Sequence, residues 1–253
     1  MKKTIDIPES PRWNMVEDIA DHLLLLLDVT IPVNPLEVLQ SFSCRVYTYQ
    51  ELAEQCDMRV SDVCDEFDSD DGGLWYNTKT QEYIVAYNHS VCPEGRIRWT
   101  LAHELGHIAL GHLEDFPQTR LSNFTVTPEE LKVLDQEANK FASEVLAPTV
   151  LLFGLADKAQ NYTEEFYYAL SRDVFHLSCQ AALYRAKSIS ARQSIIAKKL
   201  RHLPPYAETY FSPYIDQYAW IASQTAASST WLHSFSAEFS QTSKASISRN
   251  GGI

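Results

Sequence analysis

Residues 103–107 read His-Glu-Leu-Gly-His, which is a His-Glu-x-x-His pattern. Positions i and i+4 of a helix lie on one face, so the imidazoles of His103 and His107 can bind the same metal ion. Glu104 follows the first histidine and can reach a water molecule on that ion without binding the metal itself. The pattern therefore predicts a zinc site with Glu104 as catalytic base. The alternative is a core helix whose two histidines are satisfied by hydrogen bonds.

The metal site requires a helix, and apolar residues recur around the pattern with helical spacing. These apolar residues predict a buried helix over residues 98–113. They are Ile97, Leu101, Leu105, Ile108 and Leu113. His112 comes five positions after His107, about 140° round such a helix. We therefore expect His112 to point away from the metal, at the surface or in a supporting role.

A third protein ligand is expected on a second helix. A threonine followed by a proline is typical of a helix start and predicts this helix over residues 128–146. At about 100° per residue, Asp135 falls within the apolar arc of the helix, whereas Glu137 and Glu144 fall outside it. We predict Asp135 as the ligand and keep Glu137 as the fallback ligand. A structural pairing of Asp135 with some other cation is the remaining alternative.

The remaining segments predict short helices and strands around these two helices. Ser10 and Pro11 are expected to start the first helix, and the acidic stretch 61–73 is expected to be a solvated loop. The other predicted elements are helices at 11–28, 36–40, 48–55, 163–172 and 178–200, and strands at 44–47, 74–77 and 82–88. An aromatic stretch follows Pro204 and Pro205, and the Ser- and Thr-rich end is expected to be disordered.

The chain has 253 residues, 45% of them hydrophobic, and a formal net charge of −12. This composition allows a sizeable core, and the charge argues against broad nucleic-acid binding and against attachment to anionic membranes. We expect no signal peptide and no bilayer-spanning segment. Five scattered cysteines, never in a Cys-x-x-Cys pair, predict free and mostly buried thiols in a reducing cytoplasm.

Two stretches resemble the ImmA/IrrE family of metallo-endopeptidases. Residues 96–107 read Arg-Ile-Arg-Trp-Thr-Leu-Ala-His-Glu-Leu-Gly-His, and residues 135–148 read Asp-Gln-Glu-Ala-Asn-Lys-Phe-Ala-Ser-Glu-Val-Leu-Ala-Pro. With the upstream hairpin and Tyr87-Asn88, the resemblance covers residues 11–189. The family's second motif usually reads Glu-x-x-Ala-x-x-Phe-Ala and supplies the third zinc ligand from its first position. That position is Asp135 here, which has a shorter reach than the usual glutamate.

The resemblance implies an α+β fold, a small zincin-like metalloprotease domain with several helices on a short, mostly antiparallel sheet and with additional C-terminal helices. It implies one zinc ion per chain, bound by His103, His107 and Asp135, with Glu104 as general base. The corresponding division of the chain is the metalloprotease domain at 1–150, a helical part of the same unit at 151–203, an aromatic-rich extension at 204–227 and a tail at 228–253.

The resemblance further implies an endopeptidase that cleaves a protein substrate, typically a helix-turn-helix repressor. From the cysteines we expect a cytoplasmic protein, and from the net charge we expect that it binds neither nucleic acid nor a membrane. Tyr87, His89 and Arg96 are candidates for stabilising the oxyanion, and each also has a structural interpretation. The run 82–88 could bind an extended substrate by strand addition, or it could lie buried within the sheet.

A function of another class stays open, that of a zinc-stabilised regulator that binds a partner protein and cleaves nothing. Residues 175–182 have some helix-turn-helix character, but the acidity of the chain favours simple helix packing there. Glu104 separates the two functions, because a purely structural zinc site needs no general base and usually has four protein ligands.

Overall fold

The computed structural model describes residues 7–42, 44–77, 79–113 and 127–227. The chain divides into two compact units, Met1–Leu146 and Ala147–Ile253. Their boundary lies close to the predicted end of the metalloprotease domain at residue 150, while the finer divisions at 203 and 227 stay predictions. The predicted disorder of residues 228–253 lies outside the described residues.

The first unit combines helices with a small sheet and confirms the predicted α+β class. Its helices are α1 (Trp13–Leu26), α2 (Pro35–Gln40), α3 (Tyr49–Cys56), α4 (Val60–Phe67), α5 (Glu94–Ala109) and α6 (Pro128–Leu146). Its strands are β1 (Cys44–Thr48), β2 (Gly72–Asn77) and β3 (Glu82–Tyr87).

The sheet has the strand order β1-β3-β2, with β3 in the centre. β1 pairs with β3 in parallel, and β2 pairs with β3 antiparallel, so that Val46 and Leu74 flank Val85. The sheet is therefore mixed, with one pairing of each kind. Because β3 has a partner on both edges, strand addition onto residues 82–88 is excluded, and the buried interpretation of this run is confirmed.

Helices cover both faces of the sheet. On one face, Tyr49 of α3 and Val63 of α4 form a buried cluster with Ala86 of β3. On the other face, a Cβ atom at Gly72 would lie 2.6 Å from Thr100 Cγ2, so α5 packs directly against β2. α6 contacts α5 and also contacts α1. Two helices therefore pack on α6, which decides which of its residues are buried.

The acidic stretch 61–73 is only partly a loop, contrary to the sequence prediction, because its first residues belong to α4. Arg59 closes the first turn of α4 by donating hydrogen bonds from its backbone N–H and its guanidinium to the Asp62 carboxylate. The helix forms because one side of it is apolar and packs into the buried cluster that contains Tyr49 and Ala86. The residues on this side are Val60, Val63, Cys64 and Phe67. The exposed side carries the charge.

α1 begins later than predicted. Its first residue is Trp13 and its N-cap is Arg12, rather than a helix beginning at Pro11 with Ser10 as cap. The backbone N–H of Arg12 donates to Glu137 Oε1 at 2.6 Å, and its carbonyl accepts from the N–H of Val16. A contact from α6 therefore fixes the start of α1, which local sequence does not reveal.

α5 ends at Ala109, before the predicted end at residue 113. Gly111 has a φ of 71°, the left-handed conformation that glycine adopts without strain. The N–H of Gly111 bonds to the carbonyl of Ile108, and the N–H of His112 bonds to that of His107. This is the Schellman pattern of helix termination, and it turns His112 back over the last turn of α5.

The described part of the second unit is helical. It contains α7 (Thr149–Ala159), α8 (Glu164–Asp173), α9 (Cys179–Ala191), α10 (Gln193–Leu200) and α11 (Pro205–Ala227). The sequence did not predict α7, the predicted helix at 178–200 is divided at Arg192, and the aromatic stretch forms α11 with Pro213 inside it. Buried Arg185 donates to the carbonyl of Ala147 and to Thr149 Oγ1, which fixes the start of the unit.

All five cysteines are free, as predicted, but none is buried. Cys56 and Cys92 are exposed and the other three are partly buried, so the expectation of mostly buried thiols is wrong. Among the described residues, no helix combines the length and the apolar character that crossing a bilayer would need.

Gly106 allows α5 to approach the backbone of α6. A Cβ atom at this position would lie 3.1 Å from the Cα and O atoms of Ala138. Gly106→Ala should lower the free energy of unfolding by about 1 kcal/mol, because overpacking costs about 1–3 kcal/mol and the better helix propensity of alanine offsets about 1 kcal/mol. Urea unfolding measures this loss.

Gly154→Ala is the matched control, since Gly154 is also in a helix but its Cβ atom would meet a side chain rather than backbone, with Ile215 Cδ1 at 2.5 Å and Cγ1 at 3.1 Å. That side chain can rotate away, so the loss should be smaller than at Gly106. A larger loss at Gly154 would show that the α5–α6 backbone contact is not the tighter constraint.

Candidate metal centre

α5 places His103 and His107 side by side. Their Nε2 atoms lie 3.0 Å apart, and His107 is 2% exposed. Burial lowers the pKa of His103 to about 4, and burial together with the neighbouring His103 and His112 lowers the pKa of His107 well below its usual value. Both rings are therefore neutral at pH 7, which is the state in which imidazole binds a metal.

α6 brings the carboxylate of Asp135 to these two rings. Asp135 Oδ1 lies 3.7 Å from His107 Nε2, and one ligand atom from each of the three residues lies within 4.8 Å of the others. Tetrahedral zinc, with bonds of about 2.0–2.1 Å, spaces its ligand atoms about 3.3 Å apart. Two neutral imidazoles and one carboxylate at these separations could hold a single metal ion. The Asp135 side chain is 47% exposed, at the edge of the buried arc rather than inside it.

Glu104 lies buried beside these residues and is 7% exposed. Burial raises the pKa of Glu104 to about 8, and the charge of Asp135 adds to the rise. Burial also raises the pKa of Asp135. Two carboxyl groups with raised pKa values beside two neutral histidines form a place where a bound cation would stabilise the ionised carboxylates.

Asn139 supports His103, and sequence reasoning did not single it out. Its Oδ1 lies 3.1 Å from His103 Nδ1 and accepts a hydrogen bond from Trp99 Nε1 at 3.3 Å. Asn139 comes four residues after Asp135, so helical spacing puts both on one side of α6. That spacing is the signal which could have identified it.

His112 is fully buried, although the sequence placed it pointing away from the metal. The prediction assumed a helix through residue 113, whereas α5 ends at Ala109 and the chain turns at Gly111. As a result, His112 Nδ1 lies 2.8 Å from His107 Nδ1. Of the two alternatives that the sequence left open, the supporting role is the one the structure agrees with.

Glu137 is also fully buried, although it was expected outside the buried arc. It accepts hydrogen bonds from Arg12 through the backbone N–H at 2.6 Å, Nε at 2.9 Å and Nη2 at 2.7 Å, and it lies 3.1 Å from His112 Nε2. Burial would raise the pKa of Glu137, but the hydrogen bonds from Arg12 and His112 outweigh burial and hold it at about 2. Glu137 therefore contacts Arg12 and His112 and does not belong to the His103–His107–Asp135 group.

Glu144 was expected outside the arc as well, and it is 2% exposed. Its carboxylate accepts a hydrogen bond from Lys140 at 2.6 Å, and Lys140 also pairs with Glu17 of α1. The prediction assumed one buried side, whereas α5 and α1 both pack on α6. Buried positions therefore extend around more of this helix.

The three oxyanion candidates lie outside the metal-binding group. Arg96 donates to Asp71 Oδ2 at 2.8 Å, and His89 Nδ1 lies 2.6 Å from Gln50 Oε1. Tyr87 ends β3, opposite Thr48. Both Arg96 and His89 therefore have partners that support a structural interpretation.

Residues 63–187 match the peptidase M78 family model, described as the IrrE N-terminal-like domain. The matched stretch contains His103, Glu104, His107 and Asp135. This match supports an ImmA/IrrE-family metallopeptidase domain at residues 63–187, as the sequence motifs predicted. A comparison with curated proteins gives no significant match.

The three candidate ligands should determine the metal content of the purified chain. His103→Ala and His107→Ala should each remove about one zinc per chain, because a site with three protein ligands cannot spare one. Asp135→Ala should lower zinc content more than Glu137→Ala, and His89→Ala is the control histidine outside the group. Metal analysis after purification without chelators measures this. A larger loss of zinc in Glu137→Ala than in Asp135→Ala would identify Glu137 as the third ligand.

Glu137 should stabilise the fold at neutral pH and lose this effect in acid. Its pKa in the folded protein is about 2 against an ordinary value of 4.5. The stabilisation is therefore present above pH 4.5 and is lost as the pH falls toward the folded-state pKa. A shift of this size corresponds to roughly 3 kcal/mol.

Glu137→Gln should therefore unfold more easily than the wild type at pH 7, and the difference should shrink as the pH falls below about 4.5. Urea unfolding of chelator-treated protein at a series of pH values measures it. A difference that grows in acid would contradict an ionised Glu137 paired with Arg12.

Proposed function

We propose that this chain is a zinc-dependent endopeptidase that cleaves a protein substrate, with His103, His107 and Asp135 as zinc ligands and Glu104 as general base. The supporting observation is that the ligand atoms of these three residues converge within 4.8 Å beside a buried glutamate. A structural zinc site would have no use for a carboxylate in that place, and it would usually have a fourth protein ligand.

When bound, zinc supplies a Lewis acid that makes a water molecule more acidic and polarises the scissile carbonyl. Glu104 would accept a proton from the water as the water oxygen attacks the scissile carbonyl carbon, and it would give that proton to the amine nitrogen as the C–N bond breaks. Burial raises the pKa of Glu104 to about 8, and a nearby positive charge lowers the pKa of a carboxyl group. A bound cation would therefore favour the ionised form of Glu104, which can accept a proton.

The proposed substrate is a helix-turn-helix repressor, and the support for it is the family resemblance alone. An extended segment of such a substrate could add to an outer strand, and the outer strands of the described sheet are β1 and β2. The five free cysteines support a reducing compartment, in line with the expected cytoplasmic location.

The alternative function is that of a zinc-stabilised regulator that binds a partner and cleaves nothing. Direct DNA binding has less support, because the net charge is −12 and the stretch 175–182 lies where α8 and α9 pack together. Glu104 favours the enzyme over the regulator, and its substitution separates the two functions.

Glu104→Gln should retain the fold and its zinc but lose proteolysis. Glutamine is nearly isosteric with glutamate but cannot accept the proton, so the rate should fall by about 10²–10⁴-fold. The measurement is cleavage of helix-turn-helix repressors encoded near the gene, together with zinc analysis of each variant. Glu144→Gln is the control for replacing a buried glutamate, since Glu144 is paired with Lys140 outside the site.

Equal cleavage by the wild type and Glu104→Gln would rule out this mechanism. Equal relief of repression in cells carrying either protein, with no cleavage product from either, would favour the regulator that only binds its partner.

A further inference from the structure

We propose that Arg12, Glu137 and His112 form a positioning chain, in which each residue fixes the next and His112 holds the imidazole of His107 in the tautomer and orientation that present Nε2 to the metal. The proposal rests on the proposed function, since it takes His107 as a ligand. It assigns roles to three residues that do not themselves bind the metal.

The hydrogen bonds of His107 allow only one consistent set of donors and acceptors. Its Nε2 faces His103 and Asp135, so a ligand role requires a lone pair on that atom. The proton of the neutral ring must then lie on Nδ1, which donates to His112 Nδ1 at 2.8 Å. His112 in turn carries its proton on Nε2 and donates to Glu137 Oε2 at 3.1 Å. A carboxylate can only accept, so Glu137 fixes both tautomers.

Arg12 holds the Glu137 carboxylate in place. Three hydrogen bonds run from its backbone N–H and its guanidinium to the two carboxylate oxygens, which leaves Glu137 little freedom to rotate. His112 and Glu137 are fully buried, whereas the Arg12 side chain is 34% exposed. The chain of contacts therefore runs from a partly exposed arginine at the start of α1 to a buried ligand on α5.

The two histidines are supported in different ways. His103 has a neutral partner, the amide oxygen of Asn139, which also accepts from Trp99. His107 is linked through His112 to the Glu137 carboxylate, which accepts three hydrogen bonds from Arg12. An anionic partner raises the basicity of a ligating histidine more than a neutral one does, so His107 should be the stronger of the two ligands.

Coupling through this chain is reciprocal. If Arg12 holds His107 ready for the metal, then bound metal should also favour the contact between Arg12 and Glu137. Arg12 lies outside residues 63–187, which the family model matches. The contact between Arg12 and Glu137 therefore supports a site inside residues 63–187 with a residue from outside them.

The test measures the Zn²⁺ affinity of the full-length chain by competition with a chromogenic chelator. His112→Leu removes both hydrogen bonds and should weaken affinity by about 10–100-fold, the usual effect of losing such a partner. His112→Gln offers an amide acceptor and an amide donor in place of the two ring nitrogens and should restore most of the loss. Arg12→Met should weaken affinity in the same direction but less.

Glu144→Gln is the matched control, because it breaks another buried ion pair on α6, with Lys140, and should leave Zn²⁺ affinity unchanged. The visible absorption of bound Co²⁺ gives a second readout. His112→Leu should change the ligand-field bands and His112→Gln should return them toward the wild type, which a loss of stability alone would not do. If His112→Leu fails to fold, Arg12→Met carries the test, because its side chain is partly exposed.

Wild-type affinity in both His112→Leu and Arg12→Met would overturn the positioning chain and leave the metal site standing. Equal losses in His112→Leu and His112→Gln would overturn it too, because packing rather than hydrogen bonding would then be responsible. A wild-type chain that binds no Zn²⁺ would overturn the proposed metal site, and the positioning chain with it.

Discussion

The contact between the backbones of α5 and α6 at Gly106 is the constraint on which the metal centre depends. A side chain at this position would press on Ala138, whose Cα and O atoms would lie 3.1 Å from its Cβ. Because no side chain separates the helices, a carboxylate as short as that of Asp135 comes within 3.7 Å of His107 Nε2. The close approach therefore compensates for the reach that aspartate lacks relative to glutamate.

α6 packs against both α5 and α1 and therefore contributes residues to the site on two of its sides. Asp135 and Asn139 lie one turn apart and contact the imidazoles of α5 directly. Glu137 lies between them in sequence and contacts Arg12 and His112 instead. Asp135, Glu137 and Asn139 thus supply a candidate ligand, the distant support of His107 and the direct support of His103.

The sequence predicted the residues whose spacing is local and missed those whose position depends on how the chain turns. The His-Glu-x-x-His pattern is a property of a single helix, so it could be derived from periodicity. The buried arc of α6 could not, because α5 and α1 both pack on that helix and bury Glu137 and Glu144. The position of His112 depends on Gly111, whose left-handed conformation ends α5. The His112 side chain therefore points toward His107, whereas a continuous helix would point it away. Arg12 is far from Glu137 in sequence, and no periodicity connects them.

The loop predicted at residues 61–73 was wrong, although the sequence contains the apolar spacing of helix α4. Val60, Val63, Cys64 and Phe67 have the i, i+3, i+4, i+7 spacing of a helix, but the run of acidic residues suggested a solvated loop. Charge on the exposed side of a helix is compatible with burial of the other side. The apolar spacing was the better indicator, because the apolar side of α4 packs on the buried cluster of Tyr49, Val63 and Ala86.

Charge balance gives an independent reason for a cation at the centre. Buried Glu137 pairs with Arg12, and buried Glu144 pairs with Lys140. Within the described part of the chain, neither Glu104 nor Asp135 forms an ion pair with a lysine or arginine, and burial raises the pKa of both. Burying a carboxylate without a counter-charge destabilises a protein unless it becomes protonated. A metal ion between Asp135 and the two histidines would supply a positive charge beside the buried Glu104 carboxyl group.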